Sequence, residues 1–232
     1  MAVTLAAVRI DANDPGLLAR FWAGVLRGEV SGTTVWVPDT AYVLRFTPTS
    51  VPKTGRNRMH LDLTSASPQD QAETVTRALR LGGSPYDVGQ RGDEGHVVLA
   101  DPEGNEFCVI EPGNAFLAGC GPVGALNCEG TRASGEFWRD ALAWPFVWDD
   151  GDETAIQSPA GGSKVTWSGP PLFDKPATGR NRWRLELATL DGATPGSEAD
   201  RLVALGARGA AGAYDDGAIT LADPDDNELH LH

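Results

Sequence analysis

The chain has 232 residues, of which 41% are hydrophobic and 22% are charged. This composition is typical of a globular protein with one large domain or two domains of about 110 residues. Acidic residues outnumber basic residues by 32 to 19, and the net charge of -13 argues against nucleic acid or an anionic membrane surface as a partner. No segment reaches the roughly 18 apolar residues of a membrane span. Three cysteines without metal-type spacing indicate a reducing compartment, so we expect a cytoplasmic protein.

The first quarter of the chain predicts a strand, a helix and two further strands. Apolar and polar residues alternate over residues 6–11, which is the pattern of a strand. Asp14 and Pro15 are a suitable cap and first residue for the helix that follows. Residues 33–37 and 41–46 then predict two short strands.

The second quarter repeats this order of elements. Residues 59–63 alternate and predict a strand. A helix is predicted between Ser67, which can cap it, and Gly82, which can end it. Strands are expected at residues 96–99 and 106–110, so the first half contains two modules of strand, helix and strands.

Three motifs of the first half recur in the same order in the second half, and such self-similarity indicates a duplicated unit. The repeated segments are 54–58 with 178–182, 21–22 with 137–138, and 99–106 with 221–228. We therefore predict two domains, residues 1–113 and 120–232, joined by a linker that glycine and proline mark.

With this order of elements, Asp-Pro-Glu-Gly-Asn-Glu-Phe at 101–107 and Asp-Pro-Asp-Asp-Asn-Glu-Leu at 223–229 resemble the vicinal oxygen chelate superfamily. The chain resembles most its glyoxalase-like branch with paired domains, and the resemblance covers essentially the whole sequence. It implies an α+β fold in which each domain has two βαβββ modules that form a half-open barrel. The concave face of such a barrel holds the ligand and, in enzymes, a divalent metal ion.

Strand parity predicts which polar side chains would line the barrels, because alternate residues share a face. His60 and Asp62 share the polar face of one strand. Arg9, Arg184 and Glu228 lie on the polar faces of their own strands. We therefore predict that Arg9, Asp62, Arg184 and Glu228 contact a ligand.

The resemblance also implies where metal ligands would lie in the first half. The superfamily takes them from the opening strand of each module and from the last strand, which here gives Ala7, His60 and Glu106. Ala7 cannot bind a metal, so the site is incomplete, and Arg9 on the same face would repel a cation. His60 and Glu106 can still bind a divalent ion, form an acid-base pair, or remain a simple hydrogen-bonded pair.

In the second half the same three positions are Val123, Arg184 and Glu228. The permanent charge of a guanidinium argues against a metal there. We expect Arg184 to pair with Glu228 in the place of the ion; the alternative is that Arg184 holds an anionic ligand.

Five further residues can contribute to a site. His230 and His232 share a strand face near the end of the sequence, where chains fray, and we expect them to be exposed. Cys108 is predicted to be a small core residue. Trp36 and Trp148 can stack on a ligand, although core packing is the favoured prediction.

Two functions therefore remain open. The first, which we favour, is a binding module that holds a small organic molecule without a metal. The second is a lyase or isomerase of the glyoxalase type that uses His60 and Glu106, either with a divalent metal as Lewis acid or as an acid-base pair. We expect a monomer or homodimer in either case.

Overall fold

The computed structural model describes residues 3–90, 94–176, 178–190, 192–210 and 217–232. The first half of the chain contains β1 (Val3–Ala12), α1 (Pro15–Leu26), β2 (Glu29–Ser31), β3 (Thr34–Trp36), β4 (Val43–Pro48), β5 (Met59–Leu63), α2 (Pro68–Arg80), β6 (Ser84–Pro85), β7 (Val97–Ala100) and β8 (Glu106–Val109). The second half contains β9 (Val123–Cys128), α3 (Arg132–Leu142), β10 (Phe146–Asp150), β11 (Glu153–Gln157), β12 (Lys164–Trp167), β13 (Trp183–Thr189), α4 (Pro195–Ala204), β14 (Arg208–Gly209), β15 (Ile219–Ala222) and β16 (Glu228–Leu231). The prediction of a mixed α+β fold with four modules is confirmed.

The strands form two eight-stranded sheets, and each sheet takes one module from each half of the chain. Sheet A has the order β14-β15-β16-β13-β1-β4-β3-β2, and sheet B has the order β10-β11-β12-β9-β5-β8-β7-β6. Antiparallel pairs join the modules, β1 with β13 and β5 with β9. The boundary between residues 113 and 120 therefore separates the two copies of the sequence repeat, but it does not separate the sheets, because each sheet contains strands from both halves.

The helices begin where the sequence predicts, because their caps are local. The Asp14 carboxylate accepts the backbone N–H of Leu17 at 2.8 Å, and Pro15 follows in the first helical position, where a missing N–H costs nothing. The Ser67 hydroxyl caps α2 in the same way. None of the helices in the described ranges is long and apolar enough to cross a membrane.

In each half, one tryptophan-to-aspartate hydrogen bond joins the two modules. The indole N–H of Trp22 in α1 donates to Asp101 at 3.1 Å, and that of Trp138 in α3 donates to Asp223 at 3.1 Å. These carboxylates also accept backbone N–H groups of the turns that precede β8 and β16. Trp22 further packs edge-on against Trp183, so α1 reaches the apolar core shared with the other half.

The repeated segment 54–58 and its copy 178–182 lock the two halves together. Arg58 donates to the backbone carbonyl of Asp225 at 3.1 Å. Reciprocally, Arg182 pairs with Glu103 and donates to the carbonyl of Val51 at 3.2 Å. The repeated motif therefore contributes polar contacts that join the two halves.

At Gly135, α3 packs tightly against β11 of sheet B. A β-carbon there would lie 2.0 Å from Oγ1 and 2.9 Å from Cβ of Thr154, which is buried in β11. We expect Gly135→Ala to lower the free energy of unfolding by about 1–3 kcal/mol through overpacking. Urea unfolding measures this change.

The control is Gly196→Ala in α4, where an added β-carbon meets nothing within 4 Å. Alanine favours helix over glycine, so this variant should lose no stability. Equal stability of Gly135→Ala and the wild type would contradict the close packing of α3.

Candidate functional site

One row of residues crosses the polar face of sheet B. Register pairs Trp148 with Ala155, Ala155 with Thr166, Thr166 with Asn127, and Asn127 with His60. Cross-strand partners share a face of a sheet. The row therefore places an exposed tryptophan and His60 on the same surface.

A second row lies beside the first on this face. It runs through Gln157, Lys164, Ala125, Asp62, Cys108 and Val98. We call these two rows the polar face of sheet B. The alternate residues of the same strands, such as Leu61, Leu126 and Val165, are buried in the apolar core.

His60, Asp62 and Cys108 converge at one end of the polar face of sheet B. Each offers a ligand atom, and these three atoms lie within 4.8 Å of one another. Nε2 of His60 is 3.4 Å from Oδ1 of Asp62. The side chains of His60 and Asp62 are 31% and 15% exposed, so solvent and small molecules can reach the cluster.

The charges in this cluster shift its titration. Burial lowers the pKa of His60, but hydrogen bonds and charges from Asp62 and Cys108 outweigh burial and raise it to about 10. Burial raises the pKa of the Cys108 thiol, and the hydrogen bond with His60 opposes that rise. The neighbouring Asp62 carboxylate therefore favours the protonated form of His60.

Glu106, which the sequence paired with His60, binds other groups. Its carboxylate accepts the backbone N–H of Asn57 at 2.9 Å and the side-chain amide of Asn57 at 3.0 Å. The ammonium of Lys53 lies 3.0 Å away. Glu106 lies outside the group of potential ligands that contains His60, and a lysine in the chain neutralises its charge.

Aromatic side chains stand at the opposite end of this face. Trp148 is 45% exposed and packs edge-on against Phe116 of the linker, with 5.9 Å between ring centroids. Lys164 lies 4.3 Å from the centroid of Phe116 and donates to its carbonyl. Trp36 on sheet A is similarly exposed, at 49%, so the prediction of core packing for both tryptophans is wrong.

Polar groups line the floor between these two ends. Asn127 accepts the hydroxyl of Ser168 at 2.9 Å. The hydroxyl of Thr166 has no hydrogen-bond partner among the residues that the structure describes. Sequence reasoning missed both residues, because only the register of β9 and β12 places them on the same face as His60.

Sheet A has a polar face of different character, dominated by ion pairs. Arg184 is fully buried and donates to both oxygens of Asp11, at 3.1 and 2.5 Å. Glu228 instead pairs with Lys175 at 2.8 Å and accepts the N–H of Asn181 at 3.2 Å. The expected pair of Arg184 with Glu228 is therefore wrong, because antiparallel pairing of β1 with β13 brings Asp11 to the guanidinium.

The other arginines of this face also have partners. Arg9 donates to Nδ1 of His230 at 3.1 Å; because arginine can only donate, Nδ1 is unprotonated and the proton is on Nε2. His230 is fully buried, so the expectation that it is exposed is wrong. Arg45 pairs with Glu186, which lies 3.6 Å from the partly exposed His232.

The pair of Asp11 and Arg184 should stabilise the fold in a pH-dependent way. Burial raises the pKa of Asp11, but hydrogen bonding and charge from Arg184 outweigh burial and lower it overall. The contribution is thus complete above the unfolded value of about 3.9 and is lost as the pH falls through the lower folded value. Asp11→Asn should cost about 3–5 kcal/mol at neutral pH, because a buried guanidinium loses its carboxylate.

Thermal unfolding of Asp11→Asn between neutral and acid pH measures both effects. The control is Asp149→Asn, which breaks an exposed pair with Arg132 and should change stability far less. Parallel pH profiles for Asp11→Asn and the wild type below pH 4 would contradict the assigned role.

Comparison with solved structures supports the fold. Glyoxalase I from Zea mays superimposes with a TM-score of 0.66 and 12% identity, over 99% of this chain and 92% of the maize chain. A Bacillus subtilis protein that is provisionally named a dioxygenase gives a TM-score of 0.62 and 14% identity, over 99% of this chain and 84% of that one. Curated protein sequences give no match.

The sequence also matches a family model, described as a glyoxalase-like domain, over residues 7–110 and again over 124–232. The two matched segments correspond to the two sequence halves and together cover most of the chain. With the four-module fold in two sheets, they show that this protein belongs to the glyoxalase-like family of the vicinal oxygen chelate superfamily.

Proposed function

We propose that the protein binds a small organic molecule on the polar face of sheet B. An aromatic or apolar part of the ligand lies against Trp148 and Phe116, and a polar group lies at His60, Asp62 and Cys108. The observation that carries this proposal is the cross-strand row that places Trp148 and His60 on one surface. Apolar walls with a few placed polar groups are typical of small-molecule sites.

Strand spacing sets the size of the ligand. Neighbouring strands lie about 4.8 Å apart, so Thr166 and His60 are separated by two intervals, about 10 Å, and Trp148 and His60 by four, about 19 Å. A molecule of one or two rings would span from the hydroxyl of Thr166 to the His60 cluster. A longer molecule would also contact Trp148 directly.

Sheet B is a better candidate for the ligand site than sheet A, because fewer of its polar side chains are held in ion pairs within the chain. On sheet A, Arg184 and Arg45 already hold the carboxylates of Asp11 and Glu186. A ligand there must displace an ion pair within the chain and compensate for its loss. The predicted ligand contacts Arg9, Arg184 and Glu228 therefore receive less support than Asp62.

A second candidate function is lyase or isomerase chemistry of the glyoxalase type, which the His60 cluster favours. A divalent metal supplies Lewis acidity that stabilises an enolate oxygen when it is bound. The pair of His60 and Glu106 does not fit such an ion, because Lys53 and Asn57 hold the carboxylate. His60 with Asp62 and Cys108 does fit, since the three donor types suit a divalent first-row ion.

Cellular location is part of the same proposal. Cys108, Cys120 and Cys128 are all free thiols. Free thiols, one of them within the candidate site, support a reducing compartment such as the cytoplasm.

Removing Trp148 should weaken ligand binding on sheet B. We expect a ligand-observed NMR screen of elongated aromatic compounds, long enough to span the roughly 19 Å between Trp148 and His60 and with a carbonyl, phenol or carboxylate group at one end, in the presence of a chelator, to give binders. Trp148→Ala should weaken these binders about fivefold, because an aromatic contact contributes about 1 kcal/mol.

The matched control is Trp36→Ala, which removes a tryptophan of similar exposure from sheet A. Its affinities should equal those of the wild type. Loss of binding in Trp36→Ala with retention in Trp148→Ala would place the ligand on sheet A and overturn the proposal. A screen without binders would also overturn it.

A further inference from the structure

We infer that Lys164 selects a ligand that carries a negatively charged group, namely an aromatic carboxylate. The inference deepens the proposed function and rests on it, because it names the class of molecule that binds on the polar face of sheet B. In this arrangement the aromatic ring of the ligand lies against Trp148 and Phe116, and its carboxylate pairs with the ammonium of Lys164. Lys164 then determines the specificity of the site.

The three lysines of the chain differ in their partners. Lys53 lies 3.0 Å from the carboxylate of Glu106, and Lys175 lies 2.8 Å from that of Glu228. Lys164 is only 9% exposed, yet no acidic side chain pairs with its ammonium among the residues that the structure describes. Lys164 is therefore a buried positive charge on the polar face of sheet B that lacks a carboxylate partner within the described chain.

Neutral groups of the linker hold the ammonium of Lys164 in place of a carboxylate. It donates to the backbone carbonyl of Phe116 and lies 4.3 Å from the centroid of that ring. A buried charge is costly unless a charged partner compensates it. An ammonium has three N–H donors, and the carbonyl takes one of them. A carboxylate that arrives beside Phe116 would therefore gain a charge-assisted hydrogen bond and supply the missing negative charge.

The position of Lys164 on sheet B fits a ring that bears a carboxylate. Its strand, β12, lies two strands from β10, which carries Trp148, and two strands from β5, which carries Asp62. Trp148 packs against Phe116 with 5.9 Å between ring centroids, so the aromatic end of the face lies next to the ammonium.

Asp62 belongs to the same row as Lys164 but does not neutralise it. Ala125 stands between them in the register, and two strand intervals separate their backbones by about 10 Å. The carboxylate of Asp62 would also repel an anion at its own end of the face. The negatively charged group of the ligand therefore belongs at Lys164.

Matched ligands test this specificity in the full chain. The probes are elongated aromatic compounds of the type screened above, prepared in pairs that differ in one group. One member of each pair has a carboxylate on the ring that contacts Trp148, and the other has a primary amide there. We expect NMR titration of the wild type, in a chelator, to show about tenfold tighter binding of the carboxylate, because the amide lacks the charge that pairs with the buried ammonium.

Lys164→Met removes the charge and keeps a long apolar side chain. This variant should reduce the preference for the carboxylate to less than about twofold, with the affinity for the amide nearly unchanged. The control is Lys175→Met, which removes a largely buried lysine that pairs with Glu228 and should retain the preference of the wild type. Circular dichroism establishes that each variant is folded.

Three outcomes would overturn the inference and leave the proposed function intact: equal affinity of the wild type for carboxylate and amide, equal weakening of both compounds by Lys164→Met, or full retention of the preference in that variant. The second outcome would show that Lys164 only holds the linker. The first is measured on the wild type alone and does not depend on the folding of a variant. Failure of the proposed function gives a different result, because neither member of any pair then binds.

Discussion

Two buried carboxylates, those of Asp101 and Asp223, each join the two modules of one half of the chain. They are 2% and 1% exposed, and burial raises the pKa of each carboxyl group, while hydrogen bonds from the neighbouring asparagine and tryptophan oppose that rise. A buried carboxylate without hydrogen bonds would be very costly. The turn before β8 or β16 and the helix that carries the tryptophan must therefore stay together.

The hydrogen bonds to these carboxylates also determine the position of the glutamate that follows each turn. Because Asp101 positions Asn105, Glu106 enters β8 beside Asn57, and Lys53 supplies the positive charge. Asp223, Asn227 and Glu228 repeat the arrangement with Asn181 and Lys175. In both halves a lysine of the chain therefore pairs with the glutamate that opens the last strand.

Local sequence signals predicted the helices and strands. Which strands pair with one another could be learned only from the structure. Asp14 and Ser67 cap helices through contacts three residues away, so sequence suffices for the helix starts. The strand that pairs with β5 could not be predicted from the sequence. The four modules have similar alternation of apolar and polar residues, and this alternation does not distinguish β1 from β9 as the neighbour of β5. That choice decides that each sheet joins both halves, and it brings Asn127 beside His60.

The same limit explains the candidate residues that were misplaced. The partner of Arg184 depends on the register of β1 against β13, which sets Arg9 opposite Arg184 and brings Asp11 near it. Cys108 is different, since parity already places it on the face of Glu106, and only the general preference of cysteine for cores suggested otherwise. Trp36 and Trp148 are large apolar side chains that lie at the surface. The periodicity of apolar residues in a sequence does not predict such exposure.

The two polar faces finally differ in how their charges are compensated. Register aligns Arg184, Arg9 and Arg45 on neighbouring strands of sheet A, and like charges at this spacing repel one another. Asp11 and Glu186 offset that repulsion, so these carboxylates are tied to the stability of the sheet. On sheet B, by contrast, Asp62 contacts only the small cluster with His60 and Cys108 among the described contacts of its side chain. The side chains of His60 and Asp62 are 31% and 15% exposed, whereas Arg184, the partner of Asp11, is fully buried. A change of partner at Asp62 should therefore cost less stability than one at Asp11.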